Sequence, residues 1–502
     1  MNLLDKMISY VSPSAGVKRE LDRKKLRYLN YANHGASTQK NAFKGFKVSN
    51  GGAVTDIEDN IEILRARSRE LYMGTPLATG AINKIKTNVV GSGLVPKASV
   101  DADILGLSRE AAEALEKNIE TEFKIWAEST MCDATRTDNF YQLQEQALTS
   151  SLINGDCFAI YTYKKRRGEL YGLKINLIEG DRVTNPNANM NPNIVNGIEY
   201  KDGELYAYHI ANNHPGDYAV TGFQTVKAYG ETSGEKMVLH LYRRERIGQR
   251  RGVPLLAPVI EALLSLGRYT TAELTSAVIG SLFTAVIETE NEDSDDIFGN
   301  EAIAEDEQVD KDNEHSYELG HGTILELDAG QKMKEINPGR ANTGFDLFVK
   351  AVAKQIGAAI ELPYEVLLST FEKSYSASRA ALLEAWKMFR ARRTWMARDF
   401  CQPIYEMFLT EAVASGRINA PGFFLDKRIR AAYCKAEWYG PSQGQLDPLK
   451  EVMASAKKVE FGFSTFSRET AELTGMNWDH NCARREVENR KLKEGGLDNA
   501  KQ

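Results

Sequence analysis

The side chains of this 502-residue chain that could do chemistry are few and scattered. His315 and His321 stand with Glu314 and Glu318 at the end of a long acidic stretch, and such a set could in principle hold a metal ion. The flanking sequence is loop-like and the spacing matches no zinc pattern, so a solvated loop is the simpler reading and no metal site is expected. Ser455-Ala456-Lys457-Lys458 fits the SxxK signature of penicillin-recognising enzymes, but no SDN or KTG element accompanies it. Gly91-Ser92-Gly93 lacks the third glycine and the downstream acid of a dinucleotide fingerprint, and no GxxxxGK(S/T) phosphate loop occurs. Acidic pairs such as Asp295-Asp296 lie in sequence too polar to desolvate a carboxylate and tune it for proton transfer. The expectation is a protein that is not an enzyme and has no cofactor.

The basic residues say more. Arg390, Arg392, Arg393 and Arg398 cluster on a helical stretch, just after Thr370-Phe371-Glu372-Lys373-Ser374-Tyr375. A charge run on a helix is ordinarily a solvated face. The alternative is contact with a nucleic-acid backbone, where Lys and Arg attract phosphate without reading sequence.

The elements that must position these residues centre on residues 252–416. A first apolar helix starts after Gly252-Val253-Pro254, with Leu255, Val259 and Leu263 and then Leu274, Val278 and Leu282 at i, i+4 spacing. A second begins near Asn342-Thr343, as N-caps, and runs through Phe345, Phe348, Val352 and Ile356 to Leu362-Pro363. Between them, residues 288–318 are rich in Asp and Glu, with Lys311 the only Lys or Arg. A third helix follows from about Ser376, which Pro403 should kink or restart and Gly416 should end.

Upstream, residues 1–55 read as a basic, weakly ordered arm, and residues 56–88 as helix, turn and helix. A strand is expected over 89–96, helices over 108–127 and 139–152, and period-two strands over 158–163, 173–178, 204–210 and 237–242. Arg243 to Arg251 form a basic turn into the first long helix. Residues 417–440 look irregular, residues 446–478 helical, and residues 483–502 charged and frayed. The length implies two to four domains or subdomains. The net charge of −6 argues against a globally basic nucleic-acid binder, though not against one local basic surface. Five scattered cysteines favour a reducing compartment. No secretion signal is read at the amino terminus, and the uncharged run 274–287 is too short for a bilayer, which needs roughly 20 residues.

Several short motifs share an order and spacing. They are Arg65-Ala66-Arg67-Ser68-Arg69, Asn88-Val89-Val90-Gly91-Ser92-Gly93-Leu94, Asn154-Gly155-Asp156-Cys157-Phe158, Ile178-Glu179-Gly180-Asp181-Arg182-Val183 and His214-Pro215-Gly216-Asp217. Glu245-Arg246-Ile247-Gly248-Gln249-Arg250-Arg251-Gly252-Val253-Pro254, Tyr375-Ser376-Ala377-Ser378-Arg379-Ala380-Ala381 and Asp447-Pro448-Leu449-Lys450-Glu451 complete the series. On these residues the chain resembles the lambda-type family of tailed-bacteriophage portal proteins over residues 60–480.

The resemblance implies an α+β, mostly helical portal fold. Its parts would be an arm over 1–55, a wing over 56–252, a first stem helix over 253–287 and a clip with the acidic insertion over 288–342. A second stem helix over 343–362, a tunnel loop over 363–376, a long helix returning to the wing over 377–439, and a crown and tail over 440–502 would follow. It further implies a homo-oligomeric ring of about twelve copies at one capsid vertex. Double-stranded DNA would pass through it without sequence specificity. The implied partners are the terminase large subunit, a head-completion or adaptor protein, and capsid and scaffolding protein. The implied place is the virion, reached by assembly in the host cytoplasm, with no membrane. Glu372, Lys373 and Ser374 become tunnel-loop residues, and Arg390, Arg392, Arg393 and Arg268 become lumen or intersubunit residues. The acidic insertion should face outward, since repeated around a ring it would repel DNA and its own copies. The competing reading is a capsid or scaffold component with no DNA-conduit role.

Overall fold

The structure is a computed structural model describing residues 7–8, 10–28, 40–46, 50–186, 191–217, 219–282, 286–289, 331–334, 344–371, 374–444 and 447–494. The chain divides into two compact units, Met1–Asp56 and Ile57–Gln502. In the first, the expected weakly ordered arm carries a helix over Pro13–Tyr28.

In the second unit, helices Ile61–Gly74 and Pro76–Val89 meet at Thr75, with Pro76 opening the second where its missing N–H costs nothing. The strand expected over 89–96 starts later, as β1 (Val95–Ala98), because the second helix continues to Val89. Ser108 caps helix Arg109–Ala127 by accepting from Ala111 N–H at 3.2 Å, and Asn139 and Gln142 form a reciprocal capping box on helix Phe140–Asn154.

That helix feeds through Gly155 into β2 (Asp156–Tyr163), the central strand of an antiparallel sheet with β3 (Leu173–Glu179) and β8 (Val238–Tyr242). Alternate side chains of β2 serve two cores. Cys157 and Ala159 join the main core, while Phe158 and Ile160 join a smaller one with Ile178, Val183, Ile198 and Tyr208. A second antiparallel sheet contains β4 (Ile194–Val195), β5 (Ile198–Lys201), β6 (Glu204–Ala211) and β7 (Phe223–Lys227) in sequence order. The main core is aromatic: Phe123 lies 5.2–5.6 Å from the rings of Trp126, Phe140, Tyr405 and Phe408.

The first long helix is shorter than its apolar pattern. Residues 257–259 form a 3-10 turn, the α-helix spans Ile260–Leu282, and Val286–Thr289 (β9) pairs as a hairpin with Gln331–Lys334 (β10). The expected caps Asn342 and Thr343, and most of the acidic insertion with His315 and His321, lie outside the described residues. The second long helix spans Phe345–Ala359 and packs antiparallel-hairpin fashion on the first, with Tyr269 stacked 5.7 Å from Phe345. A short helix, Tyr364–Leu368, interrupts the expected loop, and the third long helix spans Tyr375–Met396. Pro403 has no N–H to donate and its ring excludes the carbonyl four residues back. The helix accordingly widens into a π turn over Ala397–Cys401 and restarts as Gln402–Ala414.

Residues 417–426 are irregular as expected, but the rest of the stretch to 440 is not. Helix Lys427–Tyr433 is followed by β11 (Ala436–Tyr439), which pairs antiparallel with β1. Helices Pro448–Glu460, Phe466–Thr474 and Trp478–Glu494 end the described chain, so the charged tail is helical to Glu494. Lys458 of the SxxK match is paired with Glu469 at 3.2 Å, a tie between neighbouring helices.

Candidate functional site

Four arginines and a loop were singled out in the sequence, and the fold separates them. Glu372 and Lys373 lie outside the described residues. Ser374 is exposed at the N-cap of helix Tyr375–Met396, its hydroxyl 3.2 Å from that of Ser376. Arg390 is exposed on this helix, and Arg268 is exposed on helix Ile260–Leu282. Arg392 is buried, its Nε 3.1 Å from Met388 Sδ and its Nη2 3.6 Å from Glu361. Arg393 is half-buried and donates to the backbone oxygens of Val89, Asn88 and Pro441 at 3.2, 2.9 and 2.7 Å. At about 100° per residue, Arg390 and Arg393 stand one turn apart on neighbouring parts of one face, while Arg392 projects from another. Burial pushes both inner guanidinium groups down to about 10, aided at Arg392 by the charge of Arg243 and at Arg393 by that of Arg390.

The motifs that were separate in sequence converge instead on one buried carboxylate. Asp156 is fully buried at the start of β2. Its Oδ1 accepts from Arg65 Nη2 at 2.9 Å and Arg251 Nη2 at 3.3 Å, and its Oδ2 accepts from Arg251 Nε at 2.7 Å and Gly252 N–H at 3.3 Å. Arg251 also donates to the carbonyls of Val183, Asn196 and Gly180 at 2.8, 2.6 and 2.6 Å. Arg65 reaches Asn154 O at 2.9 Å and Asp181 at 3.1 Å. Arg69 pairs with Asp181, and His214 lies 3.4 Å from the same carboxylate.

Two glycines let the backbones approach. A Cβ on Gly252 would fall 1.9 Å from the Gly155 carbonyl oxygen, and Gly155 itself has φ +87°. His240 stacks between Phe158 and Tyr242 at 4.1 and 4.0 Å, its Nε2 3.4 Å from Asp156 without a well-aligned hydrogen bond.

Burial alone would push the Asp156 carboxyl up, but the Arg251 and Arg65 guanidiniums beside it hold it well below the usual carboxylate range. Burial pushes His240 down to about 4 despite Asp156, with the two arginine charges adding to the fall. A carboxylate that already takes four donors and stays ionised has little capacity left for proton transfer. What it does is fasten the helix of Arg65, the sheet of Asp156, the Gly180–Arg182 turn and the chain entering the first long helix to one point. The sequence signal was the set of short motifs themselves; their meeting was not visible there.

Residues 39–393 match the family described as "Phage portal protein, lambda family". The chain is 24% identical over 434 residues to portal protein B of Escherichia phage lambda, covering 81% of this chain and 80% of that protein. It is 24% identical over 435 residues to the portal protein of Escherichia phage N15, with coverage of 81% and 80%. It is 22% identical over 412 residues to a probable portal protein of Halomonas phage phiHAP-1, with coverage of 80% and 74%. Among solved structures it is similar to a chain of the neck of a native gene transfer agent particle computed with C12 symmetry. That similarity has a TM-score of 0.44 and 12% identity, over 83% of this chain and 93% of the other. By the family match over most of its length, the chain belongs to the lambda family of phage portal proteins.

Proposed function

We propose that copies of this chain close into a ring of about twelve at one vertex of a phage head. Double-stranded DNA enters and leaves through the centre of that ring. The observation that carries the reading is the pair of long helices. Leu274 of the first is 65% exposed and Leu347 of the second 72%, with Leu264, Val278 and Phe348 also exposed, so the hairpin is apolar on surfaces that a single copy leaves in water. Neighbouring copies cover those surfaces in a ring.

Within it, helices Ile260–Leu282 and Phe345–Ala359 serve as stem helices, the paired strands β9 and β10 as the base of the clip, and residues 363–376, with the short helix Tyr364–Leu368 among them, as the tunnel loop. Lys373, with Glu372 and Ser374, touches DNA there, while exposed Arg390 and Arg268 face the lumen or a neighbouring copy. A conduit must let DNA slide, so few, weak phosphate contacts suit it better than a dense basic lining, since each neutralised phosphate strengthens binding. The clip docks the terminase large subunit and later the head-completion protein. Capsid and scaffolding protein meet the ring during assembly in the host cytoplasm, and the finished ring stays in the virion. The chain does no chemistry of its own. A capsid component without a conduit role remains the competing reading, and no feature of the long helices favours it.

The test is native mass spectrometry with negative-stain imaging, followed by packaging with Lys373→Ala. Closed rings with a central hole wide enough for duplex DNA, and rings that form but retain or move DNA poorly in the variant, are the expected results. A persistent monomer in the presence of scaffold, or unchanged packaging in the variant, would overturn the assignment.

A further inference from the structure

The basic turn that leaves β8 presents two arginines in a fixed arrangement. Gln249, fully buried at its centre, accepts from the Glu245 and Arg246 N–H groups at 2.7 and 3.0 Å and donates to Arg251 O at 2.7 Å. Arg244 and Arg250 flank that amide, and each is laid on a tyrosine. Arg244 lies over the Tyr242 ring at 6.0 Å and donates to its hydroxyl at 3.0 Å, and that hydroxyl donates in turn to Gln249 O at 3.4 Å. Arg250, half-buried, lies 4.4 Å over the Tyr200 ring of β5. A guanidinium held flat on a ring has little freedom left to lose and keeps in-plane N–H groups for an acceptor. Both arginines line one cavity of about 580 Å³ between β5, β8 and helix Tyr375–Met396, to which the helix contributes Trp395.

The charges around this cavity do not balance. Lys236, Arg243, Arg244, Arg250 and Arg398 line it against a single carboxylate, Asp399, which already takes Arg398 at 2.6 and 2.9 Å. Arg243 has Glu361 at 3.7 Å. Among the described residues neither Arg244 nor Arg250 has a carboxylate at ion-pair distance, and Arg250 Nη1 is buried without an acceptor. Glu58 meets Arg250 through the backbone N–H, at 2.7 Å. A cation with too few acceptors away from water is costly, and a ligand that brings carboxylate oxygens relieves it. Ile198, Leu205 and Val238 make part of the wall apolar, so the fitting ligand carries carboxylates and apolar groups together. A nucleotide fits less well, because a base needs an open aromatic face. The Tyr200 ring carries Arg250, and the Tyr242 ring carries Arg244 and stacks on His240.

We propose that this cleft is a docking site for an acidic segment of a partner protein. Its Asp or Glu side chains pair with Arg244 and Arg250, and its apolar residues rest on the wall beside them. The proposal does not depend on the conduit reading, because neither the two long apolar helices nor residues 363–376 line the cleft. It gives the basic turn a role at the surface, beside the one that Arg251 has at the buried hub.

The experiment titrates the full-length chain by calorimetry with three probes: a capped peptide of alternating Glu and Leu, its twin with Gln for Glu, and adenosine monophosphate. The unaltered chain is compared with Arg244→Gln, Arg250→Gln and Arg398→Gln. The glutamate peptide should bind the unaltered chain, with the twin and the nucleotide weaker by at least about tenfold. Arg244→Gln and Arg250→Gln should each weaken the glutamate peptide by about tenfold, the loss of one charge-assisted contact. Arg398→Gln should change it by less than about twofold, because Asp399 already meets that charge. Arg244 is exposed, so its variant carries the test even where Arg250→Gln lowers the melting temperature. Equal binding of the Gln twin would reduce the cleft to an apolar groove, and tighter binding of the nucleotide would make it a phosphate site; either overturns the proposal. So does an absence of binding by the glutamate peptide at about 1 mM, or an equal loss in all three arginine variants.

Discussion

Asp156 shows how much of this fold depends on one side chain. It pairs two buried arginines that belong to different elements, and removing its charge leaves Arg251 without its counter-ion in the interior and Arg65 with Asp181 alone. Breaking a buried pair in this way costs about 3–5 kcal/mol, far more than the pair adds relative to a well-packed apolar core. Asp156→Asn should therefore lower the unfolding free energy of the subunit, read by urea denaturation, by that amount, and a loss of less than about 1 kcal/mol would show that the hub is dispensable. The pH dependence has a different source. Asp156 is held well below the unfolded value, so its contribution is present above about pH 3.9 and is lost only as pH falls through its still lower folded value. His240 acts earlier. It is neutral in the fold down to about pH 4, whereas an unfolded histidine binds a proton below about 6.5, so stability falls with pH across that window. The loss is on the order of 3 kcal/mol at its limit. His240→Phe, which keeps the stack with Phe158 and Tyr242, should flatten the difference in denaturation midpoint between pH 7 and pH 4.5. An undiminished difference would place the acid sensitivity in another group.

The same junction matters for whole elements, because helix Phe140–Asn154, strand β2 and the chain entering helix Ile260–Leu282 can meet only through Gly155 and Gly252. Gly252→Ala puts a methyl group 1.9 Å from a backbone oxygen, and neither backbone has a flexible end to yield. A loss of at least about 3 kcal/mol is expected, read as a lower denaturation midpoint or loss of soluble subunit. Gly267→Ala is the matched control: it lies within helix Ile260–Leu282 with nothing within 4 Å of the added Cβ, and should stabilise by roughly 0.5–1 kcal/mol. If both variants behaved alike, close approach would not be what constrains Gly252. The long amphipathic helices and the period-two strands were legible in the sequence because their burial repeats locally. Strand β11 was not, since its partner β1 lies more than three hundred residues earlier and supplies the reason for it to be a strand. The seven-residue helix Lys427–Tyr433 is too short to show a period. Arg390, Arg392 and Arg393 read as one basic cluster because they are close in sequence, while the helix turns Arg392 into the interior and half-buries Arg393 against backbone carbonyls, leaving Arg390 exposed. The motifs around Arg65, Asp156, Asp181 and Arg251 were visible as motifs, but only the fold brings them within hydrogen-bond distance.

At the scale of the molecule, the subunit is well packed around its aromatic core and sheets but unfinished along the two long helices. Leu274 and Leu347 are the clearest cases, each more than half exposed on helices that elsewhere bury Leu263 and Ile356. Fully burying such a side chain stabilises by about 1.5–3 kcal/mol, and a ring repeats the gain at every interface. Replacing both with glutamate changes little within one subunit, because exposed positions tolerate charge to within about 0.5 kcal/mol. It changes the assembly strongly: the apolar contribution is lost and two like charges per copy must be desolvated against a neighbour. Leu274→Glu/Leu347→Glu should therefore melt as the unaltered subunit does and yet stay monomeric in native mass spectrometry. Raising salt should recover little, since screening relieves repulsion between exposed charges but not the cost of burying them. Rings that close normally in the double variant would mean that these helices face water in the assembly. Subunit contacts would then have to be sought elsewhere on the chain.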